Sequence, residues 1–218
     1  MPSATPHGDG SLNPDSGIEF DQRARETLIL GKPPRIAPLK RSELGEEAAE
    51  SALALRRAAS APASDEVTEF TATMLRHPAL YQRHTELAFQ LYGGALSARD
   101  RELIILRTGW LCKAPYEWGE HVKIGKRVGL THEEIERVTR GSMASGWDEN
   151  DRALLSAIEQ LKENAMISDE TWAVLKRRLD ERQLIELPIL VGQYQGLAYL
   201  QNALRLRLIA GNPGLSAR

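Results

Sequence analysis

The chain has 218 residues, and 28 Lys and Arg against 30 Asp and Glu leave a formal net charge of -2. Without a polybasic block, this balance argues against nucleic acid or an anionic membrane as the main partner and favours a small-molecule ligand. No apolar run is long enough to span a bilayer and the first ten residues lack the regions of a secretory signal, so a cytoplasmic protein is expected, and the single cysteine, Cys112, rules out an intrachain disulfide.

Residues 1 to 20 are rich in Pro, Gly, Ser and Asp and read as a flexible leader, because ordering them would cost entropy with no burial to offset it. Residues 21 to 64 read as an arm with short helices. A first helix fits Phe20 to Leu30, ended by Gly31 and Pro33-Pro34, and the prolines keep Arg35 to Leu39 extended. Ser42 to Ala59 is rich in Ala and Glu and could be helical.

From residue 65 to 211 the pattern is that of one all-α domain with no strand signal. Val67, Phe70, Met74 and Leu75 mark one helix face, and His77-Pro78 starts the next helix, which presents Leu80, His84, Leu87, Ala88 and Leu91. Ser97 caps a third helix in which Leu103-Ile104-Ile105-Leu106 is apolar on all sides, as expected of a central helix, and Glu102 and Arg107 flank that run. Pro115 restarts the chain toward Gly129, Thr131 to Glu134 form a capping box, and Asp148 caps a helix with Leu154, Leu155, Ile158 and Leu161 as its stripe. Ser168 caps the next, with Trp172, Leu175 and Leu179 expected inside. The last helix, roughly Glu181 to Ile209, carries Leu184, Leu187, Val191, Tyr194, Tyr199, Leu204 and Leu208, with Pro188 permitting a kink.

The densest chemistry lies in Trp110 to His121, Trp-Leu-Cys-Lys-Ala-Pro-Tyr-Glu-Trp-Gly-Glu-His, which holds three of the twelve aromatics. On the helix begun by Pro115, Glu117 and His121 stand four apart and share a face, the outline of a proton-transfer pair and equally of a surface ion pair. Burial beside the apolar run would suit Glu102 to exchange a proton, or would pair it with Arg101 or Arg107. Ten residues of helix from Glu102 to Cys112 span about 15 Å, whereas His121 lies about 9 Å beyond Pro115, so steeply crossed helices or a bridging water would be needed to join them. His77 and His84 read as structural and His132 as a surface residue. No spacing offers Glu117 and His121 a third metal ligand, so no metal and no cofactor are expected.

Leu96 to Arg107, together with Tyr116-Glu117-Trp118-Gly119-Glu120-His121, resembles the carboxymuconolactone decarboxylase and alkylhydroperoxidase D family of compact all-α proteins. The similarity runs over roughly Arg35 to Leu208. In the peroxidase branch a glutamate is followed twelve residues later by a cysteine, three later by a second cysteine and four later by a histidine. Counted back from His121, those positions are Glu102, Ala114 and Glu117, so the acid and the histidine match and both thiols are missing. The Tyr-Glu-Trp-x-x-His form looks like the decarboxylase-type branch, and the resemblance implies acid-base chemistry on a small carboxylated or carbonyl-bearing ring compound, by a homo-oligomer.

The expected site has His121, Glu117 and Glu102 as catalytic groups. His121 would move the proton, Glu117 orient it, and Glu102 or Tyr116 stabilise the developing enolate, while Tyr116, Trp118, Trp110 and Tyr194 would line an apolar pocket for the substrate. Two alternatives stand beside it: a thiol-dependent antioxidant enzyme using Cys112 with an outside reductant, and a protein that binds a small molecule without turning it over.

Overall fold

The computed structural model describes residues 20–46, 50 and 67–218, and among them every regular element is helical. The expected leader and most of the expected helix between Ser42 and Ala59 lie outside the described residues.

Helix α1 is Gln22–Leu30, capped by Asp21, whose carboxylate accepts from the Ala24 amide. The arm then lies on the domain through two backbone bonds, Arg35 N–H to the Leu204 carbonyl (3.0 Å) and Leu39 N–H to the Ala72 carbonyl (3.2 Å). Next come α2 (Glu69–Met74), α3 (Pro78–Tyr92), α4 (Ala98–Leu111) and α5 (Pro115–Arg127), followed by α6 (His132–Arg140), α7 (Glu149–Asn164), α8 (Asp169–Arg178) and α9 (Glu181–Leu204). The starts carry the expected chemistry. Ser97, Asp148 and Ser168 each accept a backbone N–H three residues on, Thr131 and Glu134 form a reciprocal capping box, and Pro78 and Pro115 sit at first-turn positions whose N–H would be unpaired anyway.

Helix α4 is the axis of the fold, packed by α5, α6, α7 and α9. Leu103, Ile104, Ile105 and Leu106 are all 0% exposed, which explains why that run shows no polar face. Arg107 at its end donates to Glu159 (2.9 Å) and to the carbonyls of Val138 and Thr139, so it is satisfied without Glu102.

Four expected core residues lie on the surface of the chain: Leu80 (52% exposed), Leu87 (38%), Trp172 (40%) and Tyr199 (51%). Periodicity groups residues on a face but does not say whether a neighbour covers that face. In α3 it is Tyr81, Thr85 and Leu91 that turn inward. Helix α9 ends earlier than expected, at Leu204, where Arg205 takes a left-handed conformation (φ 58°).

The C-terminal segment, assigned no role by the sequence pattern, is part of the core. Leu215 and Ala217 are buried, the Trp118 indole N–H donates to the Ala217 carbonyl (3.0 Å), and the Asn212 amide donates to the Tyr116 carbonyl (3.1 Å). Gly119 permits this approach, since a Cβ there would stand 1.8 Å from Asn212 Oδ1.

Candidate active site

The turn between α4 and α5 sets the site. Lys113 adopts a left-handed conformation (φ 50°), the Ala114 N–H reaches back to the Gly109 carbonyl (3.0 Å) and the Lys113 N–H to the Trp110 carbonyl (2.8 Å). These two bonds form a Schellman closure, which satisfies the end of α4 and reverses the chain within three residues. Pro115 then opens α5 at once, so Glu117 and His121 run back alongside α4.

Glu102 and His121 meet directly, with Nδ1 and Oε2 2.7 Å apart. No water bridge is needed: the axial offset reckoned from the sequence is about one helical turn, within the joint reach of a glutamate and an imidazole. On the other side of the ring, Nε2 lies 3.2 Å from Glu117 Oε1. All three side chains are buried, Glu102 completely. The second oxygen of Glu102 accepts from Arg101 Nε (3.2 Å), while Arg101 also donates to the Tyr92 carbonyl (3.0 Å) and lies over the Tyr92 ring. Arg101 therefore compensates the deepest carboxylate of the site.

A ring whose two nitrogens both face carboxylate oxygens is best served by two N–H groups, which only imidazolium carries. Burial opposes the charged form of His121, but the Glu102 charge and hydrogen bond, reinforced by Glu117, prevail and push its pKa up to about 10. The order along the site is thus guanidinium, carboxylate, imidazolium, carboxylate. The last member keeps a buried atom to spare: Glu117 Oε2 has no hydrogen-bond partner among the described residues.

The aromatic residues divide. Tyr194 stands edge-on to the His121 ring, 5.0 Å between centroids at 88°, and burial raises its hydroxyl pKa well above the usual value. Tyr116 is buried next to Glu117, its ring 6.4 Å from Phe70. Trp118, expected to line a substrate pocket, has no exposed surface and spends its N–H on Ala217. It packs at a tilt against Trp110, Trp110 packs on Phe20, and the Arg218 guanidinium lies over both indoles, so this pair fastens the two ends of the described chain to the domain. Cys112 caps α4, buried beside Ala114 and Ala198, and burial pushes its thiol pKa up although Lys162 acts in the opposite direction.

Arg101, Tyr92 and His84, the last near enough to Glu117 for its charge to act on the ring, were not singled out for the site by sequence reasoning. Arg101 adjoins Glu102 in the chain and was weighed only as its ion-pair partner, whereas Tyr92 and His84 on α3 carry no local signal at all.

Residues 78–160 match the model of the carboxymuconolactone decarboxylase family. Over that stretch, 83 of its 218 residues, the chain is similar to this family. No curated protein matches it significantly. Among solved structures, an uncharacterized peroxidase-related protein from Silicibacter sp. TM1040 superposes with a TM-score of 0.69 at 15% identity, over 83% of this chain and 96% of that one. The debrominase Bmp8 gives 0.67 at 15% identity, over 81% and 92%. A putative antioxidant defence protein AhpD from Agrobacterium tumefaciens gives 0.59 at 17%, over 63% and 95%. At these identities the likeness shows the fold. Among the described residues, no helix is long and apolar enough to cross a membrane.

Proposed function

We propose that Glu117, His121 and Glu102 form a cofactor-free proton-transfer unit acting on a small carbonyl-bearing ring compound, by a proton shift or a decarboxylation. The observation that carries this reading is the position of His121 between two buried carboxylates, one of which keeps an oxygen without a partner among the described residues. Glu102, anchored by Arg101, holds Nδ1 and keeps the ring protonated, a role the sequence pattern gave to Glu117. Glu117 is the group that meets the substrate. In a proton shift, Oε2 takes a proton from the carbon next to the substrate carbonyl, the C–H electrons form the enolate, and the proton returns from Glu117 to another carbon of the conjugated system. In a decarboxylation, the C–C bond to the departing CO₂ supplies the electrons, and the resulting enolate takes its proton from a Glu117 carboxyl recharged through His121.

The thiol alternative has less support, because Cys112 is buried with its pKa raised, and a reactive thiol needs access and thiolate character. Self-association belongs to the same reading: Ile185, Ile189 and Tyr199 are exposed along α9 with Gly192 and Gly196 between them, a stripe that a second copy would bury.

The direct test is solvent exchange. Proton NMR in D₂O with a panel of butenolides and cyclic enones should show enzyme-dependent exchange of hydrogens next to the carbonyl. Glu117→Gln and His121→Ala should lower the rate by roughly 10² to 10⁴. Variants as fast as the wild type, or a wild type inert toward the whole panel, would refute the mechanism, and binding without exchange would leave a non-catalytic binding protein.

A further inference from the structure

The substrate class stated above includes carboxylated and neutral rings, and the surroundings of Glu117 separate them. Oε1 of Glu117 is taken by His121, whereas the buried Oε2 accepts from nothing among the described residues. On α3, both ring nitrogens of His84 are likewise buried without a partner among the described residues. The Phe70 ring links the two positions, 5.9 Å from the His84 ring and 6.4 Å from that of Tyr116, which precedes Glu117 in the chain. Burial lowers the His84 pKa, with the Glu117 charge acting against it, so His84 is neutral at pH 7 and offers one N–H donor and one nitrogen acceptor.

Three buried polar atoms without partners among the described residues, in two side chains near enough for the Glu117 charge to act on His84, are expensive unless something else binds them. We propose that Glu117 Oε2 and His84 are the two polar contacts of a single ligand subsite, walled by Phe70 and Tyr116, that takes a neutral planar ring carrying a hydroxyl beside a carbonyl or a second hydroxyl. The hydroxyl donates to Glu117 Oε2, and the neighbouring oxygen accepts from the His84 N–H. A ring carboxylate on Oε2 would set like charge against like in a buried place. The proposal rests on the proton-transfer reading in taking the substrate to lie on Oε2, and within that reading it favours the proton shift over decarboxylation.

Catechol, which carries both oxygens on a neutral ring, is the probe, and benzoate the anionic comparator of similar size. Calorimetric titration of the full chain should give catechol binding at least tenfold tighter than benzoate binding. His84→Phe should weaken catechol tenfold or more, and His84→Gln, which keeps a donor and an acceptor, should recover part of that loss. Glu117→Gln should narrow the preference for catechol over benzoate, which a merely structural role would not do. Benzoate binding as tightly as catechol, a wild type that binds no catechol, or unchanged catechol affinity in a folded His84→Phe variant overturns the proposal. His84→Gln supplies the comparison if His84→Phe does not fold, and an affinity for catechol as low as that for benzoate in this variant also counts against it. The two readings fail separately. Exchange without catechol binding removes the subsite, whereas selective catechol binding with no exchange toward any ketone or lactone removes the chemistry and leaves a binding site.

Discussion

Replacing Glu102 by Gln keeps the shape of the side chain and removes the anion that faces His121 Nδ1 and Arg101 Nε. In the folded protein the His121 pKa is raised from 6.5 to about 10, against the opposing effect of burial and chiefly by Glu102. A rise of that size corresponds to about 5 kcal/mol at 1.36 kcal/mol per unit, an upper bound for a coupled buried pair, and breaking such pairs costs about 3 to 5 kcal/mol. The sign follows from proton uptake. The folded state holds the proton more tightly than the unfolded state, so the contribution is fully present below pH 6.5 and is lost as pH rises toward 10. Urea unfolding of the wild type at steps from pH 6 to 10 should therefore show His121-linked stability falling by up to about 1.4 kcal/mol per pH unit. Glu102→Gln should be about 3 kcal/mol less stable at pH 6.5, converging on the wild type near pH 10. Parallel stability curves for the two proteins across this range would refute the assignment of the imidazolium to Glu102.

Gly119→Ala drives a methyl into Asn212 and should cost about 2 to 3 kcal/mol, read by chemical unfolding; Asn212→Gly in the same chain should relieve the clash but not restore the bonds of Asn212 to Tyr116 and Gly214. Glu186 accepts from the Ala95 and Leu96 amides at 2.8 and 3.0 Å, so Glu186→Ala leaves two amides unpaired beside the start of α4 and should cost about 2 kcal/mol by the same measurement. Ile185→Lys with Ile189→Lys charges the exposed stripe of α9, where these residues are 67% and 50% exposed. Sedimentation should show a shift toward the monomer with no loss of monomer stability, and an unchanged sedimentation coefficient would place self-association elsewhere or nowhere.

The ends of the helices were legible because their causes are local. Pro78, Ser97, Pro115, Thr131, Asp148 and Ser168 each act within one turn, and each stands at the start of a helix. The central place of α4 was legible because a run with no polar side has no other stable location. Leu80, Leu87 and Tyr199 were misplaced for the opposite reason, since whether a face is covered depends on elements far along the chain. Glu117 and His121 sharing a face follows from helical spacing. The contact of Glu102 with His121 does not, because it depends on the left-handed Lys113 turn and on side-chain reach. Trp118 looked like a pocket residue until its partner appeared 99 positions away in Ala217. His84 was unreadable in principle, because what marks it is a missing partner.

The two positions where the resemblance expects thiols are Ala114 and Glu117. Ala114 is completely buried at the N-cap of α5 and contributes no side-chain cap, and Glu117 puts a carboxylate 3.2 Å from His121. A carboxylate there adds a second anion beside the imidazole, holding its proton, whereas a pair of thiols would give the same scaffold a reversible disulfide. If spacing aligns the site correctly, Ala114→Cys with Glu117→Cys should rebuild such a pair, since residue 114 lies outside the helix proper (φ -104°, ψ 98°) and the two side chains are not held at rigid helical separation. Thiol titration of the denatured variant should find three thiols when reduced and one, Cys112, after mild peroxide treatment, with exchange next to a carbonyl abolished, as the proposed role of Glu117 as base requires. Three thiols surviving peroxide would show that the two positions do not face each other as a pair. The correspondence between this site and the thiol site of the peroxidase branch would then fail, whatever the outcome for Glu102 and His121.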